Sequence, residues 1–100
     1  MANVKVQNGR LAASGDFSAD AETGFDRACQ ELLAGEEKSV VVDLTEVSYF
    51  SSTYVGLLAE MCLGARSAGK AVKVRAGPKI AALLREAGLA AAAAIEEVRS

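Results

Sequence analysis

Apolar and polar positions change their period along the chain, and each change marks an element. Val4 and Val6 alternate with Lys5 and Gln7, and Leu11 and Ala13 alternate with Ala12 and Ser14. Strict alternation sends one side of a segment toward a core, so both stretches read as strands. Asn8-Gly9 between them suits the positive φ angles of a type I′ turn, which makes the pair an N-terminal β-hairpin. Gly15-Asp16 is expected to end the second strand, and Ser18 or Asp20 stands where a side chain accepts the first free N–H groups of a helix. In that helix Phe25, Ala28, Cys29, Leu32 and Leu33 recur at three and four residue intervals and form one stripe, which Gly35 closes.

The stretch from Lys38 to Ala68 organises the rest. Val40-Val41-Val42 is a β-branched run ended by Asp43, the pattern of a parallel strand covered on both faces. Leu44 to Val47 is expected to be a loop over the sheet edge. A hydroxyl cluster follows, Ser48, Tyr49, Ser51, Ser52, Thr53 and Tyr54, with no carboxylate or base inside it. It lies where the chain leaves the sheet for a helix, the end of an open α/β sheet at which ligands and partners meet the fold. Val55, Leu58, Ala59, Cys62 and Ala65 make the inward stripe of that helix, while Leu57, Met61 and Leu63 fall on its other faces. A helix that is apolar nearly all round is buried on every side or half offered to a partner, and in a chain this small the second reading takes precedence. The same surplus can also pack beneath the alanine-rich tail.

Gly69 ends this helix, and Ala71 to Arg75 alternates again as a strand. Pro78 suits the first residue of the last helix, with Ile80, Leu83, Leu84 and Ala87 as its stripe and Gly88 at its left-handed terminus. The segment from Leu89 to Ser100 stays open, since its alanines favour helix while Ile95 and Val98 suit a short closing strand.

Composition narrows the class. One hundred residues without a Pro-, Gly- or Ser-rich linker suit one domain over 1–100. Hydrophobic residues are 51% of the chain but aromatics only 5%, so the core has to be built mainly from Ala, Val and Leu. Eleven basic residues against thirteen acidic ones leave a net charge of −2, scattered along the chain, which disfavours nucleic acid as a partner. The start of the chain has no apolar leader core and no run approaches a membrane span, so the expected location is the cytoplasm without membrane insertion. Cys29 and Cys62 lie in no CxxC pair and the chain has no His, so buried free thiols are expected rather than a zinc site, and no cofactor is called for. The missing His, and the absence of GxSxG, P-loop and GxGxxG spacings, argue against an enzyme.

The order strand, strand, helix, strand, helix, strand, helix implies right-handed crossovers and an α/β domain. Its sheet is mixed but mostly parallel, with four or five strands, an antiparallel hairpin edge and three to four helices. The run from Asp43 through Ser51, Ser52, Thr53, Tyr54 and Gly56 to Leu58 resembles the signature of the STAS family, the bacterial anti-sigma factor antagonists and their relatives. There a strand leads through a D-L-S-x-V-x-F-I-D-S-S-G-L-G-like loop into a helix. Ser14-Gly15-Asp16-Phe17 resembles the family's G-E-L-D-like turn, and the run from Ile80 to Leu89 its L-L-x-x-x-G-L-like helix end.

The resemblance implies a partner switch without catalysis. In the family the first hydroxyl of the D-S-S-G loop is phosphorylated by a serine kinase that doubles as the anti-sigma factor, and a serine phosphatase reverses the step. The unmodified form binds the kinase and frees a sigma factor. Carried over by position, the acceptor is Ser52, with Ser51 and Thr53 as alternates. The partner-binding residues are Gly15, Asp16, Thr45, Glu46, Ser51, Ser52, Thr53, Tyr54, Leu57 and Met61. The chain departs from the pattern where Ser51 replaces the family Asp and Tyr54 the family Gly. Ser51 can still cap the helix through its oxygen in place of the carboxylate, and Tyr54 adds bulk where a kinase would have to approach. A non-phosphorylated STAS subunit of a lipid-transport ATPase and a scaffold protein of a stressosome-like assembly stand as alternatives, with a homodimer open. Taken without the resemblance, Ser52 and Thr53 read as plain helix caps, and Asp16 and Asp43 as turn carboxylates.

Overall fold

The computed structural model describes residues 2–19 and 23–99. Asn8 (φ 51°) and Gly9 (φ 77°) both take the left-handed conformation. They fold β1 (Asn3–Gln7) back on β2 (Arg10–Phe17) with Gln7 opposite Arg10, as the Asn-Gly dipeptide predicts. The chain continues through α1 (Phe25–Ala34), β3 (Ser39–Phe50), α2 (Ser52–Ser67), β4 (Ala71–Ala76), α3 (Pro78–Glu86), a 3-10 turn (Leu89–Ala91) and β5 (Ala94–Glu97). The strands lie in the order β1-β2-β3-β4-β5, antiparallel at the hairpin and parallel from β2 onward.

The central strand is covered on one face only, which corrects the reading of the valine run. Each right-handed crossover steps the chain the same way across the sheet, so successive helices land on the same side. Leu11, Val42, Val74 and Ile95 stand in one row of the register on that side, and the first three are buried. The alternate row, Ala12, Asp43, Arg75 and Glu96, faces out. Val41 belongs to this outer face and is half-buried.

Charges of opposite sign alternate across the open face. Arg10 pairs with Asp43, and Arg75 reaches Asp43 at 3.5 Å and Glu96 at 2.9 Å. Asp43 Oδ1 also accepts from the Thr45 amide at 2.9 Å and the Thr45 hydroxyl at 2.6 Å. Partial burial pushes the Asp43 carboxyl up, but the Thr45 bonds, then Arg10 and Arg75, outweigh it and hold the group below its ordinary value. A carboxylate with a depressed folded pKa adds stability at pH above its unfolded value, about 4, and loses it as pH falls through the folded one. Asp43→Asn is therefore expected to lower stability at pH 7 by about 1–2 kcal/mol, with the difference closing toward pH ~2. Urea melts at both pH values measure it, and an equal loss at both would show that charge is not the cause.

Two further expectations are corrected along β2 and β3. Gly15-Asp16 does not end β2, which runs on to Phe17, and Leu44 to Val47 is strand rather than loop. The register explains both. Between Ala12 and Ser14 the partner moves from Asp43 to Glu46, and between Gly15 and Asp16 from Val47 to Tyr49, so β3 carries an extra residue at each shift. Such bulges bend a strand and re-aim its side chains. They put Leu44, Val47 and Phe50 all into the core although each stands three positions from the next.

Helix α1 begins at Phe25 behind the left-handed Gly24 (φ 75°), later than Ser18 suggests; Ser18 lies in the connection, and Asp20 is outside the described residues. Phe25, Ala28, Cys29 and Leu32 are buried as the stripe predicts, with Leu33 half-buried, and Gly35 ends the helix. Helix α2 closes as expected at Gly69 (φ 77°), whose N–H donates to the Arg66 carbonyl at 3.0 Å while the Lys70 N–H donates to the Ala65 carbonyl at 2.8 Å. In α3 the inner stripe is Ile80, Ala81 and Leu84, and the expected Leu83 and Ala87 face out. The open segment resolves as the 3-10 turn followed by β5, which pairs with β4. Among the described residues no helix is long and apolar enough to cross a membrane.

Cys29 and Cys62 are free and buried. Burial, with Asp26 and Cys62 adding to it, pushes the Cys29 thiol up to about 12, and burial pushes Cys62 up to about 11. Both are thus protonated thiols at neutral pH, and the thiolate is the nucleophile. An Ellman titration at pH 8 is expected to detect neither in the native protein and both in denaturant; rapid native labelling would contradict this packing.

Candidate functional site

Four of the five aromatic residues gather where β2 and β3 end and α2 begins. Phe17 closes β2, Phe50 closes β3, Phe25 opens α1 and Tyr54 stands in the first turn of α2. Their ring centroids lie 5.2 to 5.9 Å apart, most of them edge to face, the geometry that aromatic quadrupoles favour. The Tyr54 hydroxyl accepts a hydrogen bond from Thr23 Oγ1 at 3.0 Å, and Thr23 Oγ1 in turn accepts from the Phe25 amide at 3.1 Å. The start of α2 is thereby tied to the start of α1.

Ser51 is the N-cap residue of α2, but its side chain does not cap. Its amide donates to the Phe17 carbonyl at 3.0 Å, and its carbonyl accepts from the Tyr54 and Val55 amides at 3.0 Å. The residue is only 6% exposed, and its Oγ is buried without a hydrogen-bond partner among the described residues. The expected replacement of the family carboxylate by the Ser51 oxygen is therefore corrected: the backbone of Ser51 is anchored while its hydroxyl is left over. An unpartnered buried hydroxyl costs about 1–3 kcal/mol.

Ser52 and Thr53 follow as the first two residues of α2, and both are exposed. The first amides of a helix have no intrahelical acceptor and the helix dipole is positive there, so a negative group at this end is favoured. No acidic side chain occupies the first turn of α2 to satisfy it. Exposed hydroxyls thus stand at a helix end that favours an anion.

The register brings the other candidate residues alongside. Ser14 pairs with Glu46, Gly15 with Val47 and Asp16 with Tyr49, so Gly15, Asp16 and Glu46 lie on neighbouring strands, of which β3 leads into the start of α2. Asp16 and Glu46 are exposed; Thr45 is half-buried and held by Asp43. Leu57 is half-buried, and Tyr54 and Met61 are buried in the core. Burial of Ser51, Tyr54 and Met61 takes their side chains out of direct reach, so they shape the site from beneath. Of the apolar surplus on α2, Leu63 is the fully outward one, at 57% exposure.

The sequence reading missed the groove beside this site, between Tyr49 and the outer face of α3. In the sequence Tyr49 stands among the hydroxyls and the spacing of α3 points Leu83 inward, which hides their proximity. A signal was present in the exposed i, i+3, i+4 and i+7 positions of α3, where Lys79 and Glu86 flank Ala82 and Leu83.

Comparison with known proteins adds to this geometry. The family model "Mlab, STAS domain" matches residues 2–97. An anti-sigma factor antagonist from Mycobacterium paratuberculosis superposes with a TM-score of 0.74 at 18% identity, covering 98% of this chain and 86% of that one. SiaC of Pseudomonas aeruginosa superposes at 0.60 with 16% identity, covering 91% of this chain and 81% of that one. At such identities the likeness to solved structures speaks for the fold. A search of curated proteins finds no match.

Proposed function

Because the chain belongs to the STAS domain family, we propose that it is a regulatory protein-binding module of the anti-sigma factor antagonist type. It binds an anti-sigma serine kinase through the surface around the start of α2, and phosphorylation of Ser52 releases it; a serine phosphatase restores binding. The reading is supported by one observation above others: Ser52 is exposed at the positive end of α2, while Ser51 beside it is buried beyond a kinase's reach. Thr53 is exposed too and remains the alternate acceptor. The likeness in fold to the anti-sigma factor antagonist of M. paratuberculosis agrees with it.

The switch follows from where the charge lands. A phosphate adds about −1.5 to −2 charges and three acceptor oxygens. Within the chain the free amides and dipole of α2 tolerate it, and an anion at this end stabilises a helix by about 0.3–1 kcal/mol. A docked partner has to desolvate the same surface and meets an unpaired charge. Binding is lost while the fold is kept.

A second reading, a non-phosphorylated STAS subunit docked on a lipid-transport ATPase, draws on the departures from the family signature at Ser51 and Tyr54, which stand where it has Asp and Gly. Affinity capture from the host lysate with wild type, Ser52→Ala and Ser52→Asp in parallel separates the two. The switch reading expects a serine kinase to bind wild type and Ser52→Ala, with Ser52→Asp weakened at least about tenfold and no loss of thermal stability. Equal capture of one ATPase complex by all three would overturn the switch at Ser52 and favour the constitutive subunit.

A further inference from the structure

The outer face of α3 carries Lys79, Ala82, Leu83 and Glu86 at i, i+3, i+4 and i+7, all four exposed. Such spacing places them on one stripe. With Tyr49 at the end of β3 this stripe bounds a groove of about 280 Å³. Three large apolar side chains are exposed among the described residues, and two of them, Tyr49 (55%) and Leu83 (38%), stand here. The other cation of the helix, Arg85, is paired with Glu97 at 3.1 Å, whereas Lys79 and Glu86 make no ion pair among the described residues.

We propose that this face is the contact between two copies of the chain, joined by antiparallel packing of α3 on α3 about a two-fold axis. A two-fold contact needs a patch complementary to itself, and the order of residues supplies one. Lys79 and Glu86 sit seven residues apart, about 10.5 Å along the helix. An axis crossing between Ala82 and Leu83 sets Lys79 against the partner's Glu86 and Glu86 against the partner's Lys79. Ala82 lets the helices approach at the axis, and the two Leu83 side chains fill the groove floor beside Tyr49. Parallel packing would instead set Lys79 against Lys79 and Glu86 against Glu86, a like-charge arrangement that disfavours it. The helix is nine residues long, so the contact is smaller than a standard stable interface and association is weak and concentration-dependent.

The test is sedimentation equilibrium of the purified chain from ~10 µM to ~1 mM. Wild type is expected to dimerise within this range, and less so as salt rises. Lys79→Glu and Glu86→Lys should each weaken self-association at least about tenfold, because each sets like charges together at both rims. An equimolar mixture of the two variants should regain wild-type affinity or better as a heterodimer, since both rim pairs are then of opposite sign. Leu83→Asp should be monomeric throughout. All these side chains are exposed, so unchanged thermal melts confirm that folding is not what moves. A wild type that stays monomeric at the top concentration, variants that dimerise as wild type does, or a mixture no better than its components would each overturn the proposal.

Discussion

Phe17→Ala is expected to lower the unfolding free energy by about 3–5 kcal/mol, the range for removing a buried aromatic ring from a packed core. Phe17 is fully buried and touches all three other rings of the cluster, with centroids 5.8 Å from Phe25, 5.9 Å from Phe50 and 5.2 Å from Tyr54. Its removal leaves a cavity at the point where β2, β3, α1 and α2 meet. Little nearby can fill that cavity, because the Phe17 carbonyl holds the Ser51 amide at 3.0 Å and fixes the backbone on both sides. A domain with a typical stability of about 5–15 kcal/mol would lose a large fraction of it. Phe17→Leu, which keeps most of the volume, should cost less than about 1.5 kcal/mol. Urea denaturation of the three proteins measures the series. A Phe17→Ala loss no greater than that of Phe17→Leu would mean that the cluster is not packed as described.

The elements that were legible from sequence are those where one residue forces the backbone. Asn8-Gly9 fixes the hairpin, Gly69 the end of α2, and Pro78 with Gly88 the limits of α3. What was hidden depends on contacts between distant segments. Leu44, Val47 and Phe50 fit no two-residue period, because two extra residues in β3 are absorbed against β2, and only the paired register reveals them. The three valines of β3 read as buried on both faces because side-chain type alone does not tell whether helices lie on one side or two. The charged set Asp43, Arg75 and Glu96 in one row, with Arg10 reaching Asp43 from the neighbouring row, is likewise invisible until three strand pairings align it. The signature that the chain resembles puts Ser52 where a strand gives way to a helix, and α2 does begin there. The burial of Tyr54 and Met61 is not legible in the sequence, since α2 is apolar nearly all round and the stripe through Val55, Leu58, Cys62 and Ala65 does not tell that the buried face widens to take in Tyr54 and Met61 beside it. In α3 the spacing of Ile80, Leu83, Leu84 and Ala87 points Leu83 inward, whereas the buried face is rotated to Ile80, Ala81 and Leu84.

The same burial makes Tyr54→Gly the most informative substitution at the site, because it installs the residue that the family signature has there. Two losses are expected to add. Removing the ring from contact with Phe17, Phe25 and Phe50 costs about 3–5 kcal/mol, and a glycine inside a helix costs about 1 kcal/mol more. Tyr54→Phe keeps the ring and removes the hydroxyl that accepts from Thr23, so it should cost about 0.5–1.5 kcal/mol. The two variants should also differ in where the structure loosens. Thr23 joins Tyr54 to the Phe25 amide, so Tyr54→Phe should speed hydrogen exchange at the start of α1 while leaving the start of α2 protected. Tyr54→Gly should speed exchange at both. If Tyr54→Gly is instead as stable as wild type, the ring is a surface addition and the tyrosine shields Ser52 without supporting it. If it is destabilised as expected, the tyrosine has taken over the work of anchoring α2 that the Ser51 hydroxyl leaves undone, and the loop around Ser52 is held from below by aromatic packing.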